Sequence, residues 1–206
     1  DRGGSRLPAR DAAGNPVPIA ALERGSLDPS APRVYPRSMT DAAPFPAAPR
    51  DADALEMGST LAPRFGADGL ITAVVVDVVS RDVVMLAHMT AEALAKTIET
   101  GVATYWSRSR KALWVKGETS GNRQIVKRLR VDCDQDAVVL EVEVEGHGAS
   151  CHRGFHSCFY REIPVGAPGA PLAFVETDPA FDPKKIYGTT SGHAPGCDCG
   201  EDHGEG

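Results

Sequence analysis

The stretch LITAVVVDVVSRDVVMLAHMTAEALAKTIETG, residues 70–101, decides the fold. Leu70 to Val79 is apolar and β-branched and reads as a strand, and Asp82 to Met89 reads as a second. The Ser80-Arg81 pair between them suits a tight hairpin. Thr90 then stands as an N-cap before the helical run Ala91 to Glu99, and Gly101 supplies its stop. Leu94 and Ile98, four residues apart, give that helix an apolar stripe.

Downstream, the same reading places strands at Ala103 to Trp106, Leu113 to Lys116, Arg123 to Asp132, Val138 to Val144 and Cys158 to Ile163. One helix among many strands joined by hairpin-length connections predicts an α+β fold, a mainly antiparallel sheet with few helices. Residues 1–60 are rich in Pro, Ala, Gly, Arg and Asp with no sustained period, a composition that predicts a disordered or weakly ordered extension. Within it, Met39 is a candidate natural start. Residues 61–165 form the predicted folded domain, and residues 166–206 a Gly-, Pro- and acid-rich tail that wraps the surface or frays.

The chain has 206 residues, 42% of them hydrophobic and 24% charged, in the range of a soluble globular protein. Its longest apolar stretch, near Val74 to Val79, is interrupted by Asp77, so no membrane partner is expected. The opening residues show no charged-then-apolar signal pattern, and a cytoplasmic protein is expected. A net charge of -6 argues against a nucleic-acid partner, though not against a local basic pocket. Five cysteines without an export signal fit metal ligation or free thiols better than a disulfide framework.

Three segments carry chemistry. In Asp132-Cys133-Asp134-Gln135-Asp136, a continuing strand would put Asp132, Asp134 and Asp136 on one face and Cys133 on the other. Three close carboxylates repel unless a cation sits among them, and hard oxygen ligands favour Mg2+; a solvated acidic turn is the alternative. In Cys151-His152-Arg153-Gly154-Phe155-His156-Ser157-Cys158, two thiols flank a Gly-containing loop. With Cys133 they make three thiolates, enough to bind Zn2+ and leave a fourth position for water, the mark of a catalytic site. The alternative is a pair of buried core cysteines, but His152, Arg153 and His156 make the stretch polar for that.

The third segment, Tyr105 to Gly121, combines Trp106 and Trp114 with Arg108, Ser109, Arg110, Lys111, Lys116, Glu118, Thr119 and Ser120. Its cations and hydroxyls suit phosphate oxygens, and its aromatic faces suit a base. Single-stranded nucleic-acid binding and a solvated hairpin anchored by Trp remain open for this segment taken alone.

Together, Tyr105-Trp106-Ser107-Arg108-Ser109-Arg110, Leu113 to Gly121, Asp132 to Asp136, and Cys151-His152 with Ser157-Cys158-Phe159-Tyr160-Arg161 resemble the phosphoribosyl-AMP cyclohydrolase family of histidine biosynthesis. Met85-Leu86-Ala87-His88-Met89 also fits, with His88 where the family more often has Tyr. The resemblance covers roughly Phe65 to Ile163. It implies an obligate homodimer with shared zinc sites, Cys133 coming from one chain and Cys151 and Cys158 from the other, and Mg2+ on Asp132, Asp134 and Asp136. It implies hydrolysis of the adenine N1–C6 bond of phosphoribosyl-AMP by zinc-activated water. His152, beside a zinc ligand, is the candidate general base or acid, with an orienting role as the alternative; His156 and Glu118 are weaker candidates. Trp106, Arg108, Ser109, Arg110, Lys111, Lys116, Glu118, Thr119 and Ser120 are the candidate substrate contacts. The family domain is fused to a phosphoribosyl-ATP pyrophosphohydrolase in some organisms, but the short tail here predicts a single activity.

Two rivals weigh against this. A zinc nucleobase deaminase would need a His/Cys-x-Glu segment paired with Pro-Cys-x-x-Cys, and neither appears. A zinc-stabilised binding module would want four closed ligands and a basic surface. Cys197, Cys199, His193 and His203 offer a further tail metal site or an incidental flexible end.

Overall fold

The structure is a computed structural model and describes residues 43–188. The candidate start Met39 and the tail group His193, Cys197, Cys199 and His203 lie outside the described residues.

The opening hairpin becomes β1 (Ile71–Asp77) and β2 (Val83–Met89). Period-two alternation aims Ile71, Ala73 and Val75 inward, opposite Met89, Ala87 and Met85 of β2. The connection is wider than a two-residue turn. Asp77 organises it, its carboxylate accepting from the N–H groups of Val79 and Ser80 at 2.7 and 2.8 Å, and Arg81 takes a positive φ of 69°. Helix α2 (Ala91–Thr100) starts at Thr90, whose hydroxyl accepts from Ala93 N–H, and stops at Gly101 in the left-handed region. Its inward face differs from the expected stripe: Ala93, Leu94 and Thr97 are buried, while Ile98 is half-exposed. Thr97 takes the inner position because its hydroxyl pairs with Ala93 O and Thr104 O, joining the helix to β3 (Thr104–Ser107).

Strand β3 pairs with β4 (Ala112–Val115) in a separate two-stranded sheet. The hairpin of β5 (Gln124–Val131) and β6 (Ala137–Val144) completes the main sheet, in the order β2-β1-β6-β5. Its two outer pairings are antiparallel, but the central pair β1–β6 is parallel, Thr72 facing Ala137 and Asp77 facing Val142. The sheet is thus mainly antiparallel, as expected. One face of it, with α2 and Tyr105 of β3, encloses the core of Ile71, Val75, Met89, Leu94, Leu140 and Val142.

The last predicted strand is shorter than expected. Cys158 lies in a turn before β7 (Arg161–Glu162), which pairs with β8 (Ala173–Phe174). Residues 43–60 carry more structure than their composition predicts. Helix α1 (Ala52–Glu56) buries Leu55, and Phe45 packs near Phe65 at 6.4 Å between ring centroids. In the tail, Phe181 is buried ahead of the short α3 (Pro183–Tyr187).

Candidate active site

Strand β5 ends at Val131, so Asp132 to Asp136 form the β5–β6 turn rather than a continuing strand. The expected two-face alternation therefore does not apply. The carboxylates converge by another route. Asp132 Oδ1 accepts from Ala137 N–H at 3.1 Å, and Gln135 takes φ of 58°, which folds the turn back on itself. One oxygen each of Asp132, Asp134 and Asp136 lies within 4.8 Å of the others. Repulsion from Asp134, then partial loss of water and the Asp132 charge, raises the Asp136 carboxyl above its ordinary value. Arg64 Nη1 already offsets part of this charge, 3.0 Å from Asp134 Oδ2. A donor set of three hard oxygens that carries excess negative charge and draws in a guanidinium fits a divalent cation.

Cys133 is exposed on the acidic turn, whereas Cys151 and Cys158 lie beyond the opposite end of β6. Seven residue steps along β6 correspond to about 23 Å. The acidic trio is the one group of three or more converging His, Cys, Asp or Glu ligands among the described residues, so the three thiols do not meet within the chain.

The thiol loop is built tightly. Cys151 N–H donates to Phe155 O at 3.1 Å and Gly154 N–H to Cys151 O at 3.0 Å, with Gly154 at φ of 91°. Because β2 is an edge strand, its free side takes the loop's far end. Cys158 N–H donates to Val84 O and the Ser157 hydroxyl to Val83 O, both at 2.8 Å. Cys151 and Cys158 are hydrogen-bonded through their sulfurs. That bond, with the Arg153 N–H, the Lys116 charge and the Phe155 N–H, outweighs burial and lowers the Cys151 thiol from 9.0 to about 7. A thiolate-prone pair of this kind fits a soft, borderline metal such as zinc.

Sequence reasoning missed Gln124 and Glu176, which help fix this loop, and the bracing contacts of Tyr105 and Lys116. Tyr105 OH donates to Gln124 Oε1 at 2.7 Å, and Gln124 Nε2 donates to Ser150 Oγ at 3.1 Å, all buried. Burial, and then the nearby Cys158, raises Tyr105 well above its ordinary value, so it stays a neutral donor. Lys116 Nζ donates to Ser150 O. From the tail, Glu176 accepts from the N–H groups of His156 and Ser157 at 2.8 and 3.1 Å. The only sequence signal for Gln124 was a polar residue on an inward-facing strand position; Glu176 had none.

His152 is half-buried beside Cys151. His156 is held at both nitrogens, Nδ1 3.1 Å from Gly148 O and Nε2 3.3 Å from the Ser80 hydroxyl. The carbonyl can only accept, so Nδ1 carries the proton in the neutral ring.

The candidate substrate contacts divide in two. Lys116, Glu118, Thr119 and Ser120 lie in the loop after β4, and Lys116 reaches the thiol loop at Ser150 O. Gly117 allows the bend at φ of 81°, where a Cβ would meet Arg123 N at 2.3 Å. Asn122 then ties this loop to the next segment, its Oδ1 accepting from His147 N–H at 2.7 Å. Arg108, Ser109, Arg110 and Lys111 occupy the β3–β4 turn at the hairpin's other end and are exposed. From Lys111 to Lys116 the two groups stand about 17 Å apart along the strand. Trp106 is half-buried on β3 between them. The Trp114 indole N–H is buried with no hydrogen-bond partner among the described residues.

A cavity of about 400 Å³ opens beside Asp134 and Arg64, and no cysteine lines it. No helix among the described residues is long and apolar enough to cross a membrane.

Comparison with known proteins places these segments in context. A family model described as phosphoribosyl-AMP cyclohydrolase matches residues 85–160. A protein of that name from Agrobacterium fabrum is 52% identical over 147 residues, 71% of this chain and 98% of the relative. One from Sinorhizobium fredii is 51% identical over 148 residues, 72% of this chain and 97% of the relative. A third, from a Chelativorans species, is 62% identical over 115 residues, 56% of this chain and 83% of the relative.

Proposed function

The chain belongs to the phosphoribosyl-AMP cyclohydrolase family, and from that premise we propose that it hydrolyses the N1–C6 bond of the adenine ring of phosphoribosyl-AMP, the third step of histidine biosynthesis. The protein is a hydrolase. The observation that carries this reading is 52% identity across nearly the whole of a relative bearing that name.

Cys133, Cys151 and Cys158 would hold zinc, which when bound lowers the pKa of a water towards about 7. Within one chain Cys133 stands at the far end of β6 from the paired thiols. That separation supports a homodimer in which Cys133 of one copy meets Cys151 and Cys158 of the other. Asp132, Asp134 and Asp136 would hold Mg2+.

The remaining work falls to this chain's side chains. His152, half-buried next to Cys151, would exchange a proton with the attacking water or with the departing ring nitrogen. His156, fixed at both nitrogens, orients its loop. Lys116, Glu118, Thr119 and Ser120 form one polar group, tied to the thiol loop through Lys116, and Arg108, Ser109, Arg110 and Lys111 a second about 17 Å away along the hairpin. Two separated groups suit a substrate with two phosphates, and Trp106 between them offers a face for the base. Residues 61–165 constitute the catalytic domain, and the protein acts in the cytoplasm on a small molecule.

The test is an ultraviolet assay of ring opening with phosphoribosyl-AMP. Turnover is expected with metal-replete protein, lost on chelation and restored by added zinc. Folded, metal-replete protein without turnover would overturn the assignment.

A further inference from the structure

The acidic turn is held in place by a residue that is not a carboxylate. Gln135 is buried, 5% exposed, although it sits in a turn whose three acidic neighbours face solvent or lie half-exposed. Its side chain spends all its main hydrogen-bonding groups on one distant segment. Nε2 donates to Leu55 O at 3.3 Å and Thr60 O at 3.1 Å, while Oε1 accepts from Ala62 N–H at 2.8 Å. Its main-chain oxygen accepts from Arg64 N–H at 2.7 Å, and the Arg64 guanidinium reaches Asp134.

With both N–H donors and one lone pair of Oε1 engaged by that segment and the residue only 5% exposed, Gln135 acts through what it holds. It also occupies a left-handed backbone position, φ of 58°, where glycine would sit without steric cost. Keeping a long side chain there is offset by the bonds it makes to Leu55, Thr60 and Ala62. Without an anchor, mutual repulsion of Asp132, Asp134 and Asp136 would splay the turn.

We propose that Gln135 is a positioning residue through which the segment Leu55–Arg64 holds the Asp132, Asp134 and Asp136 carboxylates in a divalent-cation-binding arrangement. This rests on the Mg2+ reading of that trio. Groups that orient metal ligands from behind typically change affinity 10- to 100-fold when removed. Coupling is reciprocal: a segment that tightens the cation site is itself tightened by the cation.

The test is calorimetric titration of the full-length, zinc-loaded protein with Mg2+ alone. Gln135→Met, close in length but without the hydrogen bonds, is expected to weaken Mg2+ binding about ten-fold or more. A purely structural role would lower the melting temperature and leave the Mg2+ affinity of the folded protein intact; that result overturns the proposal. Should the variant not fold, hydrogen exchange on the wild type decides. Saturating Mg2+ is expected to slow exchange at the Ala62 and Arg64 amides, and unchanged rates overturn the proposal. If wild-type protein binds no Mg2+, or Asp134→Asn binds it equally well, the reading of the trio itself fails.

Discussion

Cys151 concentrates the chemistry of its loop: buried, hydrogen-bonded to Cys158 and poised towards the thiolate at about pH 7. Cys151→Ala is expected to abolish both zinc binding and turnover, read by metal analysis and the ring-opening assay. Full activity in zinc-free variant protein would sink the metal reading. A different residue governs acid stability. Glu141 of β6 is buried on the sheet's second face, paired with Arg81 at 3.1 Å and Arg130 at 3.2 Å. The hydrogen bond from Arg81 is the main cause that holds its carboxyl below the ordinary 4.5. A depressed carboxyl stabilises the fold above its unfolded value, and that contribution is lost as pH falls through the folded value. Glu141→Gln should therefore lower the melting temperature near neutral pH, and the gap from wild type should close below about pH 4.5. A gap constant from pH 7 to pH 3 would contradict this. At this scale the sequence was legible for ligands and not for their supports. Asp132, Asp134 and Asp136 announce themselves by charge, whereas Gln124, Gln135 and Glu176 matter through partners far along the chain, which no local pattern reveals.

Among the elements, α2 and its caps were readable because Thr90 and Gly101 act on the backbone beside them. For the acidic segment the sequence left a continuing strand and an acidic turn open; β5 ends at Val131 and the chain turns, with Gln135 at a positive φ. The thiol loop depends on the tail in a way composition concealed. Gly154 lies against it, and a Cβ there would meet Phe181 O at 2.4 Å and Pro179 Cβ at 2.9 Å, with φ of 91° besides. Gly154→Ala is expected to destabilise the protein by about 1–3 kcal/mol, measured by urea unfolding. Glu176→Ala removes the acceptor of two loop N–H groups and should cost about 1–2 kcal/mol. If both variants unfold like wild type, the tail does not brace the loop.

At the scale of the molecule, the position of Cys133 separates a self-sufficient chain from a shared site. If zinc is held between two copies, Cys133→Ala and Cys151→Ala are each inactive alone. Mixing and refolding them together should restore activity, to at most about one quarter of wild type, because only the mixed dimer carries an intact site and random pairing makes half the molecules mixed with one of two sites whole. No recovery after verified exchange of chains would count against shared sites. The α+β class and the largely antiparallel sheet were legible from hairpin-length spacings. The parallel contact at its centre was not, since strand patterns carry no record of which distant neighbour they meet.

That central pairing also bears on how the protein is made. The β1–β2 and β5–β6 hairpins close over short distances, but β1 meets β6 only when Thr72 finds Ala137. Loop closure over so long an interval is slow, so the two hairpins should form early and dock late. The acidic turn lies within a single hairpin, but its anchor on Leu55, Thr60, Ala62 and Arg64 lies outside that hairpin and is met only on docking. The thiol loop hangs from the far edge of the assembled sheet and must wait as well. A chain emerging from the ribosome would therefore set both groups of ligands in order only as its hairpins come together.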